Sequence, residues 1–337
     1  MLSYENIFDS LGLREWCDES QANSLMSLSQ LRGDIIEWWE LPFPSLDNLH
    51  KACSAVPQTR DLTASLETGF LAVRPSLRLV LDPLTQPLSW ALDYTLLFFT
   101  TMPWWALVPL ILLITQFVTK SSRITFLVAI CFVFFLFIDH YTYAIQTLSI
   151  IFVCTVLCTL MGIPIGILMS KNDSVQRMIT PVLDMLQTLP TFVYLIPLIF
   201  LFKITEPKLY GLAIMFYSIV PVIRLTNLGI RLVDKNLIEA ADAYGMTARQ
   251  RLVNVEIPLA LPNIMAGVNQ TIMMSLAMVV IASLVSAPGL GTLVLDGINN
   301  LRLGVGFVAG FGIVVLAVIL DRISKTALAR IDESRKI

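Results

Sequence analysis

The residues able to do chemistry are few and widely scattered. His50 and His140 stand alone, and the five cysteines include no CxxC pair, so the spacing of a metal site is missing. Cys154 and Cys158 share a helix face and read as small hydrophobes of a core. Asp184 and Arg224 fall inside apolar stretches, where an ionisable group is costly and by default functional. An ion pair between them would lower the cost of each, either beside a translocation pathway or as a brace between two helices. Gln187, Thr188, Tyr194, Asn227, Asn269 and Gln270 could line the same path or make interhelical hydrogen bonds. Phe192, Tyr194, Phe216 and Tyr217 could attract a methylated cation, or simply pack. No G-x-x-x-x-G-K-[ST] run occurs, so the chain offers no phosphate cradle for ATP. Binding and passage are the expected chemistry; no catalytic residue, metal or cofactor of its own is expected.

One segment, 236–258, carries ordered local signals. Leu237, Ala240, Ala241 and Tyr244 recur at i, i+3, i+4 and i+7, the spacing of one helix face. Gly245 follows directly, where a left-handed C-terminal cap favours a residue without Cβ. Thr247 and Gln250 have capping-box spacing and predict a second short helix. Pro258 is expected to end the segment at the membrane. Helix, glycine turn and helix make an amphipathic knob, either a docking surface for a soluble partner or an interfacial helix resting on lipid.

The elements that must position these residues are membrane helices. The 337 residues are 56% hydrophobic and 14% charged, with a mean hydropathy of +0.74, against about 25% charged in a soluble domain. Ile257 to Leu295 is uncharged over 39 residues, His140 to Ser170 over 31, and Tyr94 to Thr119 over 26. A spanning helix needs about 20 apolar residues, and a soluble fold could not cover several such stretches with polar surface. The fold class is therefore all-α and polytopic. Seven spans are predicted: Leu96–Val118, Ile124–Ile138, Tyr141–Met169, Pro181–Phe202, Leu209–Ile230, Leu259–Ala287 and Val305–Leu320. Segments alternating on one side hold 13 Lys and Arg, against only Lys203, Lys208 and Arg302 on the other. Basic residues mark the inside, so the C-terminus is expected in the cytoplasm and the N-terminus outside. Gly162-Ile163-Pro164-Ile165-Gly166, Pro190, Pro197 and Pro221 suit bent helices around a pathway.

Residues 1–90 differ in kind. They hold 12 acidic and 6 basic residues, and no basic start followed by an apolar run marks a cleavable signal. Leu25–Trp39 and Leu62–Leu81 read as amphipathic helices, the second interrupted at Pro75, lying at a membrane interface or folded as a small cap. The expected organisation is an extracytoplasmic region over 1–90 and peripheral spans over 91–140. A permease-like core follows over 141–325, with its loop at 236–258, and then a cytoplasmic tail over 326–337.

The run Glu239-Ala240-Ala241, Gly245, Val255, Ile257-Pro258 resembles the EAA loop of ABC-importer permeases. Val255 stands where that family usually has Ile, and Ile257 where it usually has Leu. Pro181 to Pro197, Leu259 to Thr271, Met278 to Ser283 and Ile319 to Arg322 are similar to the glycine betaine/proline betaine permease subfamily, a likeness covering roughly residues 90–325. The resemblance implies a type I ABC-importer core and a bacterial inner (plasma) membrane location. It implies a homodimeric pathway, two ATPase subunits that use ATP and Mg2+, and an external binding protein that delivers the solute. Leu237, Glu239, Ala240, Ala241, Tyr244, Gly245, Val255, Ile257 and Pro258 would form the ATPase-coupling surface. Choline, carnitine or an aliphatic sulfonate are alternative solutes. A membrane-embedded enzyme lacks a clustered active site here, and a passive channel needs no such loop.

Overall fold

A computed structural model describes Leu11, residues 45–53 and residues 56–333. The helix expected over Leu25–Trp39 lies outside the described residues. The chain divides into two units, Met1–Leu79 and Val80–Ile337. In the first, helix α1 (Leu46–Ala52) starts at Ser45, whose hydroxyl accepts from the Asn48 amide at 3.4 Å. Cys53 follows it, buried and disulfide-bonded; Cys131, Cys154 and Cys158 are free. The Asp47 carboxylate accepts from the Thr59 amide at 2.9 Å, where helix α2 (Thr59–Thr101) begins. The expected interruption at Pro75 does not occur, because α2 runs on through Pro75, Pro83 and Pro87. A proline forfeits one backbone bond, which the strong helix formers around it offset.

The later residues of α2 belong to the second unit, which is helical throughout. After it come α3 (Trp104–Thr119), α4 (Ser122–Phe137), α5 (Tyr141–Lys171), α6 (Asp173–Thr188), α7 (Thr191–Leu201) and α8 (Pro207–Arg231). Next are α9 (Lys235–Ala243), α10 (Ala248–Arg251), a π-turn over Leu252–Glu256, α11 (Ile257–Ala282), α12 (Leu290–Asn299) and α13 (Leu303–Glu333). Among the described residues, four helical runs are long and apolar enough to cross a bilayer: Tyr141–Lys171, Pro207–Arg231, Ala248–Val285 and Leu303–Arg330. The spans expected over Leu96–Val118 and Pro181–Phe202 do not run as single helices: α2 meets α3 at 113°, and α6 meets α7 at 98°. Proline explains both breaks. Leu189, directly before Pro190, holds an extended ψ of 131°, as the residue before a proline is pushed away from helical geometry. Pro103 and Pro190 are themselves extended, with ψ of 145° and 134°. The segment expected to span over Ile124–Ile138 is an apolar helix, α4, whose 16 residues fall short of the about 20 that cross a bilayer. The span expected over Leu259–Ala287 ends at Ala282, and a short helix not expected from the sequence, α12, follows after a break. The tail expected from 326 continues α13 to Glu333.

Close approach of helices builds the core of this unit. Gly162 and Gly166 do not break α5; they admit α8. A Cβ on Gly166 would lie 2.6 Å from the Thr226 Cβ and 2.8 Å from the Ile223 carbonyl, so only a small residue fits. Around that contact Met169, Leu183, Val220 and Ile223 form one buried cluster, and Ile230, Ala260 and Ile264 another. Longer ties fasten the periphery. Lys208, nearly buried at the start of α8, donates to Asp82 at 2.6 Å and lies 5.1 Å from the Phe202 ring centroid. The Arg330 guanidinium on α13 donates to the carbonyls of Phe117 and Val118 at 2.9 and 3.0 Å, capping the end of α3.

Candidate coupling loop and transmembrane polar residues

The loop between α8 and α11 folds as its spacing predicts. Asp234 caps α9 by accepting from the Asn236 amide at 2.9 Å. At the other end Gly245 takes φ +75°, a left-handed geometry that suits glycine. The Gly245 amide donates to the Asp242 carbonyl at 2.9 Å and the Met246 amide to the Ala241 carbonyl at 3.2 Å. These are the two bonds of a Schellman cap. Thr247 and Gln250 form the reciprocal capping box, with the Thr247 backbone amide donating to the Gln250 side-chain Oε1 at 2.9 Å. Pro258 does not end the segment. It occupies the first turn of α11, and helical backbone is continuous from Ala248 to Val285. The π-turn over Leu252–Glu256 directly before α11 loosens the backbone where the proline has no amide to donate.

Of the face expected on α9 only Ala241 is buried, at 4% exposure; Tyr244 is 87% and Leu237 46% exposed. Glu239, Ala240 and Gly245 are exposed too, while Val255, Ile257 and Pro258 are half-buried. The helix therefore presents apolar, small and acidic side chains on an uncovered surface. Sequence reading missed what tethers it. Arg251 donates to both oxygens of Asp242 on α9, at 2.6 and 2.7 Å, and to Glu256 at 3.1 Å. Glu256 also accepts from Lys171 at the end of α5. No sequence signal joins Lys171 to a carboxylate 85 positions away; the Asp242–Arg251 spacing across a glycine turn is the one clue available.

The polar residues expected along a pathway divide. Arg224 on α8 donates to Asp184 on α6, so these two do meet. Both are substantially exposed, at 41% and 54% of their side-chain surface. Thr188 donates back to the Asp184 carbonyl at 2.9 Å, and Gln187 is half-buried beside it. Asn227 is buried and accepts from Arg231 at 3.1 Å; Arg231 in turn holds Asp173 at 2.7 Å and the Met169 carbonyl at 2.8 Å. Asn227 therefore helps fasten the α5–α6 corner. Asn269 accepts from Ser324 and joins α11 to α13. Gln270 is exposed. Tyr194 is buried with its hydroxyl unpartnered, and so are the Thr226, Thr271 and Ser275 hydroxyls on α8 and α11. A buried hydroxyl without a partner costs about 1–3 kcal/mol, and no spacing or composition signal sets these three apart from other Ser and Thr. Among the described residues no cluster could hold a metal.

Comparison with known proteins adds an independent line. Residues 162–332 match the family model of the binding-protein-dependent transport system inner membrane component. The chain is 46% identical over 195 residues to a glycine betaine transport system permease protein of Bacillus subtilis, covering 57% of this chain and 68% of that one. It is 44% identical over 198 residues to the glycine betaine/proline betaine transport system permease protein of Escherichia coli, covering 59% and 55%. Among solved structures it is similar to the inward-facing MetNI methionine ABC transporter, with a TM-score of 0.52, 18% identity, and coverage of 57% of this chain and 95% of that one.

Proposed function

The chain belongs to the family of binding-protein-dependent transport system inner membrane components, the multi-pass permease subunits of ABC importers, and on that premise we propose that its cargo is glycine betaine or proline betaine. An external binding protein delivers the solute to two copies of this chain, and two ATPase subunits beneath them supply ATP hydrolysis with Mg2+. The relatives at 46% and 44% identity are named for these solutes, which supports the choice. A betaine is a zwitterion with a methylated cation. Asp184 and Arg224 offer one charge of each sign to it, and they neutralise each other when no solute is near.

The observation that carries the coupling role is the uncovered face of α9, capped at both ends and joined through a short turn to the helix Ala248–Val285. Leu237, Glu239, Ala240, Tyr244 and Gly245 form the surface offered to the ATPase, with Ala241 packed beneath them; Val255, Ile257 and Pro258 carry it into the membrane helix. This loop and the C-terminus face the cytoplasm, and residues 1–90 lie outside. The 13-to-3 distribution of basic residues supports that orientation. The disulfide at Cys53 is consistent with an oxidising exterior.

The test is uptake by proteoliposomes holding this chain with its co-purifying ATPase and the external binding protein. ATP-dependent accumulation of labelled glycine betaine is expected, competed by proline betaine. ATP-dependent uptake of choline, carnitine or an aliphatic sulfonate without glycine betaine uptake would reassign the solute. Uptake that ignores ATP would overturn the importer reading for this complex.

A further inference from the structure

We propose that Glu256 is a positioning residue, and that the row Asp242–Arg251–Glu256–Lys171 is the link through which a displacement of α9 reaches the membrane helices α5 and α11. The inference rests on the coupling role given to α9 above. Glu256 ends the π-turn and its side chain is 1% exposed, although it is a carboxylate between two cations. Lys171 approaches one of its oxygens from the end of α5. Arg251 holds the other through Nε, and turns Nη1 to both oxygens of Asp242. Four side chains of alternating sign therefore join α9, α10, the π-turn and α5 in series. A buried charge is tolerated only while its partners stay in place, so the row resists being stretched at any point.

Side-chain packing ties α9 down only slightly: its buried residue is Ala241, and its C-terminal side is a four-residue turn, Tyr244 to Thr247. Apolar packing can transmit little through so small a buried surface. The π-turn adds a second reason. A π-turn fits one extra residue into a helix and often marks a functional site. Here it falls between the short helix holding Arg251 and the long one packed in the core. Glu256 clamps that joint, so α9, α10 and the start of α11 move as one piece and pull on α5 through Lys171.

The experiment measures labelled glycine betaine imported per ATP hydrolysed by the complete transporter in proteoliposomes. Asp242→Asn cuts the row at one end, and Lys171→Gln cuts it at the other; both side chains are partly exposed, at 49% and 39%, so neither change empties a core. Each single variant is expected to lower the ratio about tenfold or more, and the double variant to be no worse than either, because residues in series are not additive. Glu256→Gln is expected to match them if it inserts, and Lys171→Arg to keep the parental ratio. Unchanged ratios in both end variants would overturn the link. So would losses that multiply in the double variant, or losses that merely follow a drop in co-purified ATPase or in thermal stability. If Gly245→Val uncouples the transporter while the end variants do not, the link fails and the role of α9 stands; if Gly245→Val also has no effect, the coupling reading itself fails.

Discussion

The core around α5, α8 and α11 and the loop around α9 hold themselves together by opposite means. In the core, glycines bring helices into backbone contact, and apolar clusters fill what remains. At the loop one residue of α9 is buried, and the fastening is done by two caps and a row of ion pairs. Dispersion contacts are short-ranged and leave no room for adjustment. The row of charges, with buried Glu256 at its centre, instead holds α9 in register with α5 and the start of α11. The pairing suits a rigid transmembrane frame read by a movable knob, and the difference can be probed from either side.

The largest effect is expected in the frame. Gly166→Leu would drive a side chain into Thr226 and the Ile223 carbonyl, which already lie within 3 Å of where a Cβ would sit. Overpacking of this kind costs about 1–3 kcal/mol when side chains can yield, and more where backbone is the obstacle. The variant should lose most of its monodisperse material in detergent and melt well below the parent. A normal melting profile would mean that α5 and α8 are not in contact at this position. Changes confined to α9 should leave that profile nearly untouched, which is the sharpest form of the comparison.

A smaller effect is expected where the frame itself uses charge. Asp184 and Arg224 are paired but partly exposed, and exposed ion pairs couple by about 0.2–1 kcal/mol. A cycle with Asp184→Asn, Arg224→Gln and the double variant should show coupling of about that size in thermal stability. In uptake, both singles should fall further than stability explains, because each removes one of the charges offered to a zwitterion. Additive effects on both readouts would show that the pair is neither a brace nor part of a path.

What the sequence revealed follows the range of the interaction. The α9 face, its Gly245 cap and the Thr247–Gln250 box depend on residues within four or five positions, and all three were legible. So were the apolar segments, since span length is written in composition. Their shape was less so. Pro103 and Pro190 turn two expected spans into bent pairs, as the sequence suggested for Pro190, whereas Pro75, Pro164 and Pro258 leave their helices whole. A proline announces a lost hydrogen bond, and the surroundings decide whether the helix bends, breaks or continues. Helix α12 went unseen because its residues extend the uncharged stretch before it. The Lys171–Glu256 and Lys208–Asp82 pairs span 85 and 126 positions. Charge counting put Lys171 and Lys208 in loops, where their partners could not be seen. Asp184 and Arg224 were found because an ionisable residue in an apolar stretch demands a partner.

Whether α9 converts ATP hydrolysis into solute movement is read from the substrate-stimulated ATPase activity of the reconstituted complex. Gly245 holds φ +75°, a conformation that a β-branched residue strongly disfavours; nothing else lies within 4 Å of its would-be Cβ, so Gly245→Val perturbs the turn alone. Glu239→Lys keeps the turn and reverses an exposed charge on the docking face. Both variants should insert at parental levels. Both should lose the stimulation that solute-loaded binding protein gives, and Gly245→Val should in addition weaken ATPase co-purification. Parental stimulation in both variants, with the ATPase fully assembled, would contradict the account.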